Sequence, residues 1–115
     1  MNISGLIHLT NIILPIMQKQ KDGIIVNISS GAGKRGGAKM AVYSATKFAV
    51  IGFTQSLAQE VEKNNIRVYA VCPGTTATEM GDYTGIPPEK VARRIIKCVK
   101  EELGLSPGED TEIYW

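Results

Sequence analysis

The sequence predicts an α/β fold built on a parallel sheet, and three observations carry that expectation. Two apolar runs, Gly23–Ser29 and Ile66–Val71, have the length and branched Ile/Val character of strands covered on both faces. Segments with helical spacing lie before, between and after them. The resulting order, helix, strand, helix, strand, helix, strand, requires crossover connections and therefore parallel pairing. At 115 residues the chain is at most one domain, able to bury about two thirds of its unfolded surface.

Composition narrows the function classes. Hydrophobic residues make up 43% and charged residues 21%, the balance of an ordinary globular protein. A net charge of +2 with scattered lysines and arginines gives no footprint for nucleic acid. Cys72 and Cys98 have neither metal-ligand spacing nor the density of a disulfide framework, so a reduced cytoplasmic setting is expected and no metal site is. The apolar run Ile12–Met17 is too short to span a bilayer, and no basic stretch precedes it as in a signal peptide.

Residues 2–19 read as a helix with apolar groups around most of its circumference, so burial on more than one side is expected. Pro15 removes one backbone donor there and should kink it. Asn2 taken alone reads as a helix N-cap. His8, the one histidine, has no partner carboxylate in view and reads as structural.

After the first strand comes Gly31-Ala32-Gly33-Lys34-Arg35-Gly36, which formally satisfies G-x-G-x-x-G. It is not a dinucleotide fingerprint, because three residues delay the following helix and the next acid, Glu60, is too distant. It reads as a glycine-rich loop that lets the chain pass close to a substrate. Lys34, Arg35 and Lys39 read as its solvated face, with contact to an anionic substrate as the alternative.

The segment Met40–Glu62 is strongly helical, with Phe48, Ile51, Gly52, Leu57, Ala58 and Val61 on its expected packing surface. Ala45, Ala49 and Gly52 would let a neighbour approach closely. The strand Ile66–Val71 ends at Cys72-Pro73-Gly74, and a turn at the carboxyl end of a strand is where open α/β sheets bind ligands. Cys72 reads as packing. Residues 81–86 read as loop, and a helix from Pro87 to about Glu102 carries the stripe Val91, Ile95, Ile96 and Val99. Thr111–Trp115 reads as a last short strand, with Trp115 as packing or a partner contact.

Tyr43 and Lys47 stand four residues apart in the second helix, on one face and one turn apart. An ordinary phenol titrates near ~10, too high for a base at neutral pH. A cation about 6 Å away, at an effective dielectric of about 20, favours phenolate by roughly 2–3 kcal/mol, about two pKa units. Burial opposes this, so the cation prevails only in a partly polar pocket. Ser30, at the end of the first strand, could hold a substrate oxygen within reach of the Tyr43 proton. Without further context, a core-edge tyrosine and a solvated lysine explain the same pair.

Ser30, thirteen residues before Tyr43, with Lys47 completing Y-x-x-x-K, resembles the catalytic trio of the short-chain dehydrogenase/reductase family. The flanks IIVNISS, FAVIGFTQSLAQEV and IRVYAVCPG match as well, and the resemblance covers essentially residues 1–80. It implies an NAD- or NADP-dependent oxidoreductase that moves a hydride between nicotinamide and a small carbonyl or alcohol substrate. Tyr43 would be the general acid/base, and Lys47 would lower its pKa and hold the nicotinamide ribose. Ser30 would fix the substrate oxygen. Asn2, in an N-x-x-G match, would support a water chain to the lysine. Residues 73–78, PGTTAT, match the family's P-G-x-[VI]-x-T with Thr76 in place of a branched apolar residue. Pro73, Gly74, Thr76 and Thr78 would then contact the cofactor.

The implied fold is the second half of a Rossmann-type doubly wound sheet, residues 1–115 forming one partial catalytic domain whose nucleotide-binding half is absent. The apolar edge of Gly23–Ser29 would then invite association. The resemblance also implies a homo-oligomer joined through helices 2–19 and 40–62. The competing expectation is a truncated, non-catalytic fragment that acts only in oligomerisation or partner binding. A serine hydrolase using Ser30 lacks both the G-x-S-x-G elbow and a histidine partner.

Overall fold

A computed structural model describes residues 2–29, 41–73 and 86–113; the side chains of Asn2, Tyr43, Glu112 and Ile113 lie outside that description. The order is α1 (Asn2–Gln20), β1 (Gly23–Ile28), α2 (Ala41–Glu60), a 3-10 turn (Glu62–Asn64), β2 (Ile66–Pro73), α3 (Pro88–Val99) and β3 (Asp110–Ile113). The three strands form one parallel sheet in the order β1-β2-β3. Gly23 of β1 stands beside Ile66 and Ile28 beside Val71, while Pro73 of β2 stands beside Ile113 of β3. Among the described residues no helix is long and apolar enough to cross a membrane.

Alternation along the strands builds two layers, because successive side chains point to opposite faces. On one face Ile25, Ile66 and Val68 pack with Leu57, Ala58 and Val61 of α2 and its end, and with Leu14 and Met17 of α1. On the other, Tyr69 and Val71 pack with Ile86, Cys98, Val91 and Ile95 around α3. β2 is the centre, with seven of its eight residues buried.

Several expectations need correction. α1 runs unbroken through Pro15 but is not buried on several sides: Leu9, Ile12 and Ile16 are exposed, and Leu14 and Met17 make its core contact. Its sequence is apolar all round, yet the sheet covers one side. In α2, Phe48 is 45% exposed, and Ala45, Ala49 and Gly52 face outward. A Cβ added at Gly52 would meet nothing within 4 Å, so no described element approaches closely there. The packed stripe of α3 is Val91, Ile95 and Cys98, with Cys98 buried and the other two half-buried; Ile96 and Val99 are exposed, because the helix presents a narrower face than its composition suggested.

Helix ends differ from the sequence reading for a local reason. α3 stops at Val99, not Glu102, because Glu101 adopts φ 57°, in the left-handed region. Its N–H then donates to Cys98 O at 3.0 Å, and Glu102 N donates to Lys97 O at 2.9 Å. That closure satisfies terminal carbonyls with a non-glycine in a conformation usually given to glycine. Lys21 (φ 57°) closes α1 in the same way. The last strand begins at Asp110, one residue earlier than read, and Tyr114 and Trp115 lie outside the described residues.

Glu101 also anchors a polar cluster at the amino ends of the strands. Arg67 Nε and Nη2 each donate to its carboxylate at 3.1 Å, and Arg67 Nη1 donates to Asp22 at 3.0 Å and Asn65 O at 2.8 Å. Tyr69 Oη donates to Glu101 at 2.5 Å. The cluster ties the α1–β1 turn, the start of β2 and the end of α3. The Tyr69 hydroxyl, then Arg67, holds the Glu101 carboxyl below its ordinary value. Burial, then Glu101, pushes Tyr69 up to about 12.

Stability should therefore fall on two flanks. The Glu101 contribution is complete above the ordinary glutamate value of ~4.3 and is lost as pH falls through the lower folded value. The Tyr69 contribution is complete below ~10 and is lost as pH rises from there to about 12. Urea unfolding across pH should show both limbs. Glu101→Gln should flatten the acid limb, and an unchanged limb would remove Glu101 from this role.

Candidate active site

The carboxyl ends of β1 and β2 lie together, and α2 starts above them. On the α2 face of β1, Ile25 is followed at alternate positions by two buried polar residues, Asn27 and Ser29. Asn27 Nδ2 donates to Thr54 Oγ1 at 2.9 Å, and Thr54 Oγ1 donates to Val50 O at 2.8 Å. Ser29 extends the ladder by donating its N–H to Val71 O at 2.8 Å. Its Oγ donates to the backbone carbonyl of Lys47 at 2.9 Å. The end of β1 is thus bonded both to β2 and to the turn of α2 that contains Tyr43 and Lys47.

Buried polar side chains are tolerated where they find partners. Asn27, Thr54 and Ser29 do, and Thr46 Oγ1 donates to Val42 O at 3.0 Å. Ser44 is buried, and its hydroxyl has no hydrogen-bond partner among the described residues.

The expected site residues are placed as follows. Lys47 is half-buried in α2, its carbonyl on Ser29. Tyr43 belongs to the same helix one turn earlier. Pro73 is the buried last residue of β2, two positions beyond Val71, whose carbonyl receives Ser29. Asn2 opens α1, and the short turn at Lys21 and Asp22 folds β1 back along that helix. The start of α1 therefore points toward the carboxyl ends of the strands. Ser30, Gly74, Thr76 and Thr78 lie outside the described residues, as do the side chains of Asn2 and Tyr43. The structure brings the Lys47 carbonyl to the end of β1 and sets Pro73 at the end of the neighbouring strand.

Ser29, Asn27 and Thr54 escaped the sequence reading. A signal was present: polar residues at positions i and i+2 of an apolar strand face, opposite a helix threonine. Among the described residues, the groups with shifted ionisation are Arg67, Tyr69, Glu101 and Cys98, and they cluster at or near the opposite end of the sheet. Burial accounts first for Cys98, and mutual hydrogen bonds account for Arg67 and Glu101. Among the described residues no three His, Cys, Asp or Glu side chains group as metal ligands.

Comparison with known proteins bears on the family and the fold. The family model for short chain dehydrogenase matches residues 1–86. A short-chain dehydrogenase/reductase of Talaromyces verruculosus is 44% identical over 80 residues, covering 70% of this chain and 31% of its own length. An acetoacetyl-CoA reductase of Paracoccus denitrificans is 38% identical over 124 residues, covering 93% of this chain and 51% of its own. Among solved structures, a 3-oxoacyl-[acyl-carrier protein] reductase with bound NAD from Brucella melitensis superposes with a TM-score of 0.86 at 31% identity, covering 97% of this chain and 47% of that one. The chain spans roughly a third to a half of the length of these proteins. Its parallel sheet, its strand-end seam and these matches together identify the chain as a member of the short-chain dehydrogenase/reductase family of oxidoreductases.

Proposed function

We propose that this chain carries the catalytic part of an NAD- or NADP-dependent oxidoreductase acting on a small carbonyl or alcohol substrate. The observation that supports it most is the seam between Ser29 and Lys47, which seats the Tyr43–Lys47 turn at the carboxyl end of β1. The groups at that end suit a nicotinamide cofactor: a half-buried lysine and a strand ending in buried Pro73. Tyr43 and Lys47 would face its ribose, with Pro73, Gly74, Thr76 and Thr78 on the turn that closes over it. When bound, the reduced cofactor supplies the hydride that turns a carbonyl carbon into an alcohol carbon.

Tyr43 gives its phenolic proton to the carbonyl oxygen as that oxygen gains charge, and takes it back in the reverse direction. The Lys47 ammonium stabilises the phenolate left behind. Ser30 donates a hydrogen bond to the same substrate oxygen, and Asn2 supports the relay that returns a proton to Tyr43. A cytoplasmic setting is proposed with this chemistry, resting on buried cysteines, Cys72 and Cys98, that are not joined in a disulfide.

A second reading has its own support: the chain acts in assembly without turnover. Leu9, Ile12 and Ile16 of α1 and Val42 and Phe48 of α2 are exposed apolar side chains. Exposed apolar groups on neighbouring helices suit a helix-on-helix homo-oligomer, here through residues 2–19 and 40–62.

Titration of NADH and NADPH against the 115-residue chain, followed by nicotinamide fluorescence, separates the two. Saturable binding, with Tyr43→Phe lowering turnover by roughly 10²–10⁴-fold at nearly unchanged cofactor affinity, is the catalytic outcome. No saturable binding leaves the assembly role. Independently, sedimentation velocity should show Phe48→Glu shifting the chain toward monomer. An unchanged distribution would exclude the α2 face from the contact.

A further inference from the structure

α2 sits on the sheet in two unequal halves. Its second half is buried through Thr54, Leu57 and Ala58 against Ile25, Ile66 and Val68. Its first half also buries three residues, Ser44, Thr46 and Val50, but two of them carry hydroxyls and none joins that apolar cluster, while Val42 is 71% exposed. Within that half, Thr46 turns its hydroxyl onto its own helix at Val42 O. Ser29 reaches across to it from β1. Its hydroxyl donates to Lys47 O at 2.9 Å, while its N–H is fixed to Val71 O at 2.8 Å.

A helix carbonyl has two lone pairs and can accept a side-chain hydroxyl alongside its helical N–H. Ser29 is 2% exposed, so this bond is screened from water. We infer that Ser29 is a positioning residue, whose hydroxyl holds the Tyr43–Lys47 turn against the end of β1 without touching substrate or cofactor. The inference rests on Tyr43 and Lys47 being the acid/base pair proposed above. Asn27–Thr54 makes the corresponding contact to the half of α2 that packs in the apolar cluster, so it supports the helix but not that turn.

The distance dependence of the charge interaction makes this measurable. At an effective dielectric of about 20, a drift of the Tyr43–Lys47 separation from about 6 Å to about 8 Å raises the phenol by about half a pKa unit. The chain has four tyrosines, so the Tyr43 resonance in ¹³Cζ-tyrosine NMR is assigned by its loss in Tyr43→Phe. The pH titration of that resonance is then read in the free chain, with no cofactor or turnover required. The expected result is a wild-type phenol below ~10, a rise of about half a unit in Ser29→Ala, and its return in Ser29→Thr, which keeps the hydroxyl. Thr54→Val, which breaks the neighbouring pair, should lower the thermal midpoint but leave the Tyr43 titration in place.

Ser29→Ala superimposing on a lowered wild-type curve would overturn the positioning role and spare the acid/base pair. A rise that Thr54→Val reproduces and Ser29→Thr does not reverse would mark Ser29 as packing, and would overturn it too. A wild-type phenol that titrates at the ordinary value would remove the acid/base pair and this inference with it.

Discussion

The structure depends on two polar bonds set into an otherwise apolar seam between β1 and α2. Asn27 to Thr54 and Ser29 to Lys47 O join the strand to the helix at points seven residues apart along α2. Each bond is worth only about 0.5–1.5 kcal/mol net, whereas a buried donor left alone costs roughly 1–3 kcal/mol. That asymmetry makes the seam a device for register. Moving β1 by one residue would turn Asn27 and Ser29 toward α3 and leave them without these partners. The apolar contacts of Ile25 with Leu57 and Val61 hold the layers together, and the polar pair decides how they align.

The two ends of the sheet are built differently. At the amino ends, Arg67, Asp22, Glu101 and Tyr69 satisfy one another, and their shifted ionisation follows from that mutual bonding and from burial. At the carboxyl ends, the end of β1 is bonded both to β2 and to the first half of α2. The amino-end cluster fastens the layers, and the carboxyl end is where a parallel sheet receives small molecules.

How much was legible in the sequence follows from how local each signal is. β2 could be read because Ile66–Val71 is apolar at nearly every position, as a central strand must be, and the parallel order followed from alternation of element types. That Tyr43 and Lys47 share one helix, one turn apart, was legible from helical spacing. The burial of α1 was not, because an all-round apolar helix does not say which neighbours are present to cover it. The end of α3 at Val99 was hidden by a left-handed glutamate where a glycine would have announced the stop. Ser29 was overshadowed by its neighbour Ser30, since only the third dimension shows that its hydroxyl meets a carbonyl eighteen residues away.

Amide hydrogen exchange across α2 tests this account most directly. The seam should protect the amides of Val50 and Ile51, beside the Lys47 carbonyl, nearly as well as those of Leu57 and Ala58 in the core-packed half. Exchange of Val50 and Ile51 at the rate of a free helix, with Leu57 and Ala58 still protected, would mean that the first half of α2 is not seated on β1. The catalytic geometry would then have no foundation in this chain.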